Sequence, residues 1–383
     1  MNRQWGTPSA DMKSCRIKDA EVYRQPISGR TEFLFVRLLA SRDAEGWGEA
    51  TFNRLNDQVV VALRILSNEL RGMTVDEGRN YLARQPGWKH GLAFQIAMSA
   101  LEQALLDVES RLRGVPFGCM FGPRIHERVP CYANINRGTA DRSPEGWAKR
   151  AMRATSSGFS ALKVAPFDGV KSPVAEGQAA SFEGGVDAVA AVRSEVGPDV
   201  DLMVDCHWRF ERESALALVR ALADLSPAWI EGPVHEDFLS IEDLCRIRRA
   251  ANRSEIRLAG GEYLDGPRAF APFLKEGAFD IVNPDIRLCG VAGTMEVAIQ
   301  AGARGIELAP HSHLGPVMAV ASLHLMSAAP AALTLELQFE ESDVASCLVD
   351  PGILTPEQGW LEVPSDPGLG IEIDTSRLSR VRL

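Results

Sequence analysis

The sequence predicts an α/β protein in which a barrel of parallel strands carries the working residues and a small α+β domain precedes it. Two observations lead there. Asp205, Glu231, Glu262, Asp285 and His311 each stand where a short apolar run gives way to a loop, in LMVD, AWIE, RLAGGE, DIVNPD and ELAPH. They recur between 23 and 31 residues apart, about one strand plus one helix, and a parallel barrel gathers such points at one mouth. The second observation is a count. Strand candidates end near Asn134, Lys163, Asp205, Glu231, Glu262, Asp285, His311 and Glu336, the eight ends that a closed barrel of this kind needs.

Taken in order, residues 31–40 (TEFLFVRLLA) and 46–51 (GWGEAT) read as strands around the turn SRDAEG, an antiparallel meander. From Asp57 to about Leu70, and from Leu92 to Leu112, apolar residues recur every three or four positions, which predicts helices with one buried face. These elements make an α+β domain of residues 1–128. After GVPFGCMFGPRIHER strands and helices alternate, starting with VPCYAN, so residues 129–345 form the barrel. Ser143 before Pro144 reads as an N-cap with proline at the first helical position, and Ser240 with Asp243 as a capping box. The long, small-residue-rich loop after Lys163, PFDGVKSPVAEGQAASFEGG, falls at the charged mouth and is expected to help choose the substrate. Residues 346–383 are irregular and are expected to return to the small domain.

Composition excludes several classes. The proportions, 45% hydrophobic and 24% charged, are those of a globular enzyme rather than a disordered chain. A net charge of -10 leaves no basic stripe for phosphates, so no nucleic-acid partner is expected. No apolar run approaches a membrane span, and the start MNRQWGTPSADMK lacks the apolar core of a signal peptide, which makes a cytoplasmic location the expectation. Seven cysteines without CxxC or CxxH spacing read as reduced thiols and offer no zinc site.

Three carboxylates around an open centre suit a hard divalent cation, and an Asp beside a His makes a supported general base. Together they suggest metal-assisted proton abstraction from a carbon acid.

The chain also resembles the mandelate racemase-like group of the enolase superfamily, over nearly its whole length. The resemblance rests on GWGEA at 46–50, ALEQALLDVESRLRGVPFGCMFG at 100–122, ALKV at 161–164, VDCH at 204–207, WIEGP at 229–233, GGE at 260–262, NPD at 283–285 and APHSHLGP at 309–316. It implies a modified TIM barrel, (β/α)7β, with an N-terminal α+β capping domain that the C-terminal tail completes. It also implies magnesium held by Asp205, Glu231 and Glu262, in agreement with three oxygen ligands that leave room for water and a substrate carboxylate. Asp265, in the turn LDGP, is the alternative to Glu262.

Racemases of this group carry Lys-x-Lys on the second barrel strand; here the pair is Lys163 and Ala165, so one of two opposed bases is missing. Lys163 is expected to neutralise the substrate carboxylate, its other reading being a solvated strand-end charge. His311, oriented by Asp285, is expected to be the base, with His313 as rival imidazole or substrate contact. Glu336 matches the position that hydrogen-bonds the substrate carboxylate or enediolate, with Glu340 and Glu341 as nearby alternatives that are expected to be solvated. His207, two places after Asp205, falls on the same side of a strand by the period of two. Asp-x-His in sugar-acid dehydratases of the group supplies the general acid for a departing β-hydroxyl.

The resemblance therefore points to Mg-dependent dehydration of a sugar acid to a 2-keto-3-deoxy acid. An epimerase or cycloisomerase acting on a sugar acid or lactone is the enzymatic alternative, and a non-catalytic binding barrel the alternative of another class. Muconate-type cycloisomerases and dipeptide epimerases fit less well, because they place a lysine where Asp285 stands. Arg24, Asn134 and Arg137 are candidate contacts to a small carboxylate substrate. The family further suggests a homo-oligomer, a dimer or octamer.

Overall fold

Strand β1 (Ile17–Pro26) pairs antiparallel with β2 (Glu32–Ala40), which pairs in turn with β3 (Glu45–Glu49). The computed structural model describes residues 14–85, 91–171, 173–174, 182–237, 240–342, 344 and 348–381. Three expectations therefore fall wholly or partly outside the described residues: the N-terminal MNRQWGTPSADMK, the middle of the loop after Lys163, and the boundary near residue 345. The segment VYRQPISGRT holds the end of β1 and the tight turn into β2. A register shift between Ile17 and Asp19 separates the buried Ile17 from the buried Ala20 and Val22.

Helices α1 (Asn56–Leu70) and α3 (Leu92–Arg113) stand where their periodicity predicts. Between them α2 (Val75–Arg84) was not read from the sequence, although it begins with a capping box: Thr74 Oγ1 accepts from Glu77 N at 3.2 Å and Glu77 Oε2 from Thr74 N at 2.8 Å.

The GWGEA stretch is explained by how closely α3 approaches β3. A Cβ built on Gly48 would lie 1.9 Å from the Ala100 carbonyl oxygen, and one on Gly46 2.2 Å from that of Ala104. Backbone cannot yield as a side chain does. Gly48→Ala should therefore destabilise the fold by about 3 kcal/mol, whereas Gly29→Ala, which meets nothing within 4 Å, should be near neutral. Thermal unfolding of the two variants compares them, and equal midpoints would refute the steric account.

The second sheet contains β4 (Arg128–Asn134), β5 (Ala161–Val164), β6 (Asp201–Asp205), β7 (Trp229–Glu231), β8 (Arg257–Gly260), β9 (Ile281–Val282), β10 (Glu307–Leu308) and β11 (Leu335–Gln338). Successive strands pair in parallel, and β11 returns to pair with β4. A parallel bridge between Leu308 and Ala332 links β10 to the segment entering β11 and closes the circle. The connections are α4 (Pro144–Ser156), α5 (Glu183–Val196), α6 (Arg212–Leu222), α7 (Ile241–Asn252), α8 (Gly266–Glu276), α9 (Ile286–Gly302) and α10 (Pro316–Ala328). Seven helices follow eight strands, the (β/α)7β arrangement. Tyr132, Met203, Trp229, Ala259, Ile281 and Ala309 fill the interior, with Trp229 edge-on to Tyr132 at 5.5 Å.

Two cap expectations had different outcomes. Ser143 Oγ accepts from Gly146 N at 3.1 Å, as expected. Ser240 caps nothing with its side chain: its hydroxyl is turned back on Asp237, donating to that carbonyl at 2.7 Å, so no capping box with Asp243 forms.

Carboxylates on the small domain hold helices of the barrel. Glu49 accepts from Gly315 N (2.8 Å) and Met318 N (3.1 Å) at the start of α10. Glu102 accepts from Val291 N (2.9 Å) and Ala292 N (3.3 Å), where α9 kinks at Gly290 with φ 69°. These are the orphan donors of a helix start and a helix kink, satisfied from another part of the chain. In the tail, β12 (Trp360–Glu362) pairs with β4, and β13 (Ser379–Val381) pairs with β1 of the small sheet. Among the described residues no helix is long and apolar enough to cross a membrane.

Candidate active site

The loops at the C-terminal ends of the barrel strands bring the sequence-predicted residues together. Three of these residues lie beyond the last paired residue of their strands rather than at it. Gly261, with φ 101°, turns the chain before Glu262, while Pro284 and Pro310 lack the N–H that would extend the ladder to Asp285 and His311. Asp285 and His311 nonetheless form a parallel bridge, which fixes them side by side.

One oxygen each of Asp205, Glu231 and Glu262, all buried, lies within 4.8 Å of the others. Each of these carboxylates faces a different basic group: Asp205 Oδ2 and His207 Nε2 are 2.7 Å apart, Glu231 Oε1 and Lys163 Nζ 2.8 Å, and Glu262 Oε2 and His311 Nε2 3.4 Å. Burial pushes the Glu231 carboxyl up to about 7; Lys163 opposes the rise, and Asp205 and Glu262 add to it. Burial would raise Asp205 too, but the His207 imidazole and the Lys163 ammonium hold it at about 2. Three crowded oxygens whose mutual repulsion lifts one pKa are a donor set that fits a hard divalent cation. Asp265, at the start of α8, is not in this cluster.

Lys163 is 1% exposed, which overturns its reading as a solvated charge. Its ammonium bridges Glu231 and Glu336 (2.9 Å) and lies 5.5 Å from the Tyr132 ring centroid. Burial opposes its charge, yet the two carboxylates carry the pKa well above the ordinary lysine value. Glu336 also accepts from Asn134 Nδ2 (2.8 Å) and Ser312 N (2.8 Å). Asn134, expected to touch substrate, thus has its amide committed to Glu336 and to Asn136 N (3.0 Å).

On one side of the cluster, His311 Nδ1 lies 3.0 Å from Asp285 Oδ2. Burial would lower the imidazole pKa, but Glu262, Asp285 and Glu336 outweigh it and raise it to about 8. Asp285 is held at about 2: burial works against ionisation, and Arg287 with His311 overcomes it. Arg287, buried and unread from the sequence, donates Nε to both Asp285 oxygens at 2.9 Å. Its signal was there to find, since a cation in the first turn of the apolar α9 opposes the helix dipole and needs a local anion. His313 stacks on His311 with centroids 4.2 Å apart, and burial with the surrounding cations keeps its pKa well below the usual value. One ligand atom each of His311, His313 and Glu336 also falls within 4.8 Å of the others.

Across the cluster stands His207, which reaches Asp205 by a different route from the one expected. Strand β6 ends at Asp205, so the period of two no longer applies; His207 and Trp208 adopt left-handed conformations, φ 44° and 54°. The turn is held by His207 N to Asp205 Oδ1 (2.9 Å) and Trp208 N to Gly232 O (2.7 Å). Burial disfavours the imidazolium, but Asp205 and Asp168 raise its pKa well above the ordinary histidine value.

Residues 146–377 match the family described as Enolase C-terminal domain-like. The chain belongs to the enolase superfamily. D-gluconate dehydratase of Thermoproteus tenax is 31% identical over 289 residues, 75% of this chain; the chain spans 56% of that relative's length. D-galactonate dehydratase of Variovorax paradoxus is 25% identical over 355 residues, 90% of each chain. A mandelate racemase/muconate lactonizing enzyme structure from Sulfitobacter sp. superposes with a TM-score of 0.82 at 26% identity, covering 95% of this chain and 94% of its own.

In this enolase-superfamily barrel the position two after Lys163 holds Ala165, buried, with its N–H donated to Asn136 Oδ1 at 2.6 Å. Arg24 is not drawn into the cluster by any described contact; it pairs with Asp57 (2.5 Å) and Glu32 (3.5 Å) on the small domain. Arg137 donates to Thr31 Oγ1 at 2.7 Å and lies 3.6 Å from Glu341. Glu341 is not solvated: it accepts from Ser28 Oγ (2.8 Å) and Thr31 Oγ1, joining the β1–β2 turn to the barrel mouth. Glu340, half exposed, is held by Arg150 (3.0 Å) and Arg153 (2.6 Å).

Proposed function

We propose that this chain is a sugar-acid dehydratase, which removes the proton α to a carboxylate and expels the β-hydroxyl as water. Relatives named D-gluconate and D-galactonate dehydratase support an enzyme of the hydro-lyase class. The observation that carries the reading is the pair of imidazoles, His311 and His207, each with Nε2 turned to a different carboxylate of one cluster. Asp205, Glu231 and Glu262 would hold Mg2+, which when bound supplies positive charge for the two oxygens of an enediolate.

The remaining work falls to side chains. Lys163, a fixed ammonium, neutralises the substrate carboxylate. Asp285 keeps the proton of neutral His311 on Nδ1, so Nε2 is free to take the α-proton, and the C–H electron pair enters the enediolate. His207 gives its Nε2 proton to the β-oxygen as the C–O pair leaves with water. The enol left behind tautomerises to a 2-keto-3-deoxy acid. Ala165 offers no base on the second face, which weighs against two-base racemisation. Turnover of a panel of mono- and diacid sugars with Mg2+, D-gluconate and D-galactonate first, tests the reading by detection of 2-keto-3-deoxy products. α-Proton exchange without any such product would favour the epimerase instead.

Magnesium affinity should depend on pH in a defined direction. Glu231, with its pKa raised to about 7, carries a proton below that value and must lose it to ligate. Affinity should therefore fall by up to about tenfold per pH unit as pH drops from 7 to 5 and level off above pH 8. Calorimetric titration across that range checks it, and pH-independent affinity would remove Glu231 from the ligand set.

A further inference from the structure

We infer that Asp168 is the positioning residue for His207, so that the acid side of the site is a built Asp–His pair opposite the Asp285–His311 pair. This rests on the dehydratase reading for its chemical meaning and on geometry for the pair itself. Asp168 Oδ1 lies 2.5 Å from His207 Nδ1, the nitrogen turned away from the carboxylate cluster, while Nε2 faces Asp205.

A lone aspartate against a partly exposed histidine would be an ordinary surface pair, but both partners are braced from behind. Asp168 follows Phe167, fully buried and edge-on to Phe210 at 5.3 Å, so the loop after β5 is pinned to the loop after β6. Farther along, Val174 forms a parallel bridge with Phe210, donating to Arg209 O at 2.8 Å and accepting from Glu211 N at 3.0 Å. The far side of Asp168 meets Arg142 at 3.8 Å. Arg142 is itself fixed by Asn136 O (2.9 Å), Ala165 O (3.4 Å) and the Trp147 face (4.6 Å). The loop after β4, the loop after β5 and the left-handed turn after β6 thus converge on one hydrogen bond.

The bond has a stereochemical purpose. With Asp168 accepting from Nδ1–H, the proton His207 can release is the one on Nε2. As the Nε2–H bond breaks, an O–H bond forms on the departing oxygen and the C–O pair leaves with it. The ring ends as the Nδ1–H tautomer already in place, with no second proton to move. Without Asp168 the Nε2 contact to Asp205 remains, but Nδ1 loses the carboxylate that fixes its proton and the angle of the ring.

The test compares Asp168→Asn and Asp168→Glu with the parent in the magnesium-loaded full chain, reading the ratio of α-proton exchange in D2O to elimination. The expectation is a ratio at least about tenfold higher in D168N, partly restored in D168E, and no further loss of elimination when D168N is added to His207→Asn. A structural role would lower exchange and elimination together, with the unfolding midpoint, and that result overturns the inference. Imidazole 15N NMR gives a readout independent of turnover. His207 should show a protonated, hydrogen-bonded Nδ1 in the parent and lose that signature in D168N; an unchanged spectrum rejects the pair even if a sugar acid is dehydrated. Conversely, a chain that dehydrates none of the panel but shows the signature and its loss keeps the pair and rejects the dehydratase reading.

Discussion

His311→Asn should abolish α-proton exchange and dehydration together, each by about 10⁴-fold, while Mg2+ binding survives. The reason is the one-sidedness of the site. Across from His311 the second strand offers Ala165, whose side chain carries no base for the opposite face. His313 is the obvious substitute, stacked 4.2 Å from His311. It lacks a carboxylate on its Nδ1 among the described residues, whereas His311 has Asp285 at 3.0 Å to fix its tautomer and stabilise the imidazolium. His313→Asn should therefore leave exchange measurable. Measurement of deuterium incorporation in both variants decides between them: retained exchange in H311N with loss in H313N would transfer the role of base.

The second large effect is a separation of two steps. His207→Asn should depress elimination by about 10² to 10⁴-fold and leave His311-driven exchange in place. Asparagine is the replacement of choice, because His207 sits at φ 44° and Asn tolerates the left-handed region better than other non-glycine residues. A loss caused by strain would then be small, and a change in exchange-to-elimination ratio reports on the proton donor. Undiminished water loss in H207N would remove His207 from the mechanism.

Much of this arrangement could be read from residue order. A βα period shows itself as charged residues after apolar runs, so Asp205, Glu231, Glu262, Asp285 and His311 were visible without coordinates. What stayed hidden depends on partners brought from separate strands. Asp168 lies in an unremarkable PFDG stretch until the turn after β6 meets it, and Arg287 reads as one more cation until Asp285 closes on it. The bonds of Asn134 to Glu336 and Asn136 were likewise hidden, because strand position says which end of the barrel a side chain occupies and not which neighbours it meets. His207 was singled out by an argument from strand alternation that fails one residue past Asp205, yet the left-handed turn still brings its ring to the carboxylates.

The carboxylates of Glu49 and Glu102 set a rule for redesign. They hold α10 and the kink of α9, the helices that begin just after His311 and Asp285, so the segments carrying these two side chains are anchored on the N-terminal part of the chain. A chimera that grafts another protein's N-terminal domain onto this barrel must bring equivalents of both side chains at the same register. A graft that omits them would leave helix N–H groups unsatisfied within a few residues of His311 and Asp285, and the new domain would arrive with a loosened pair.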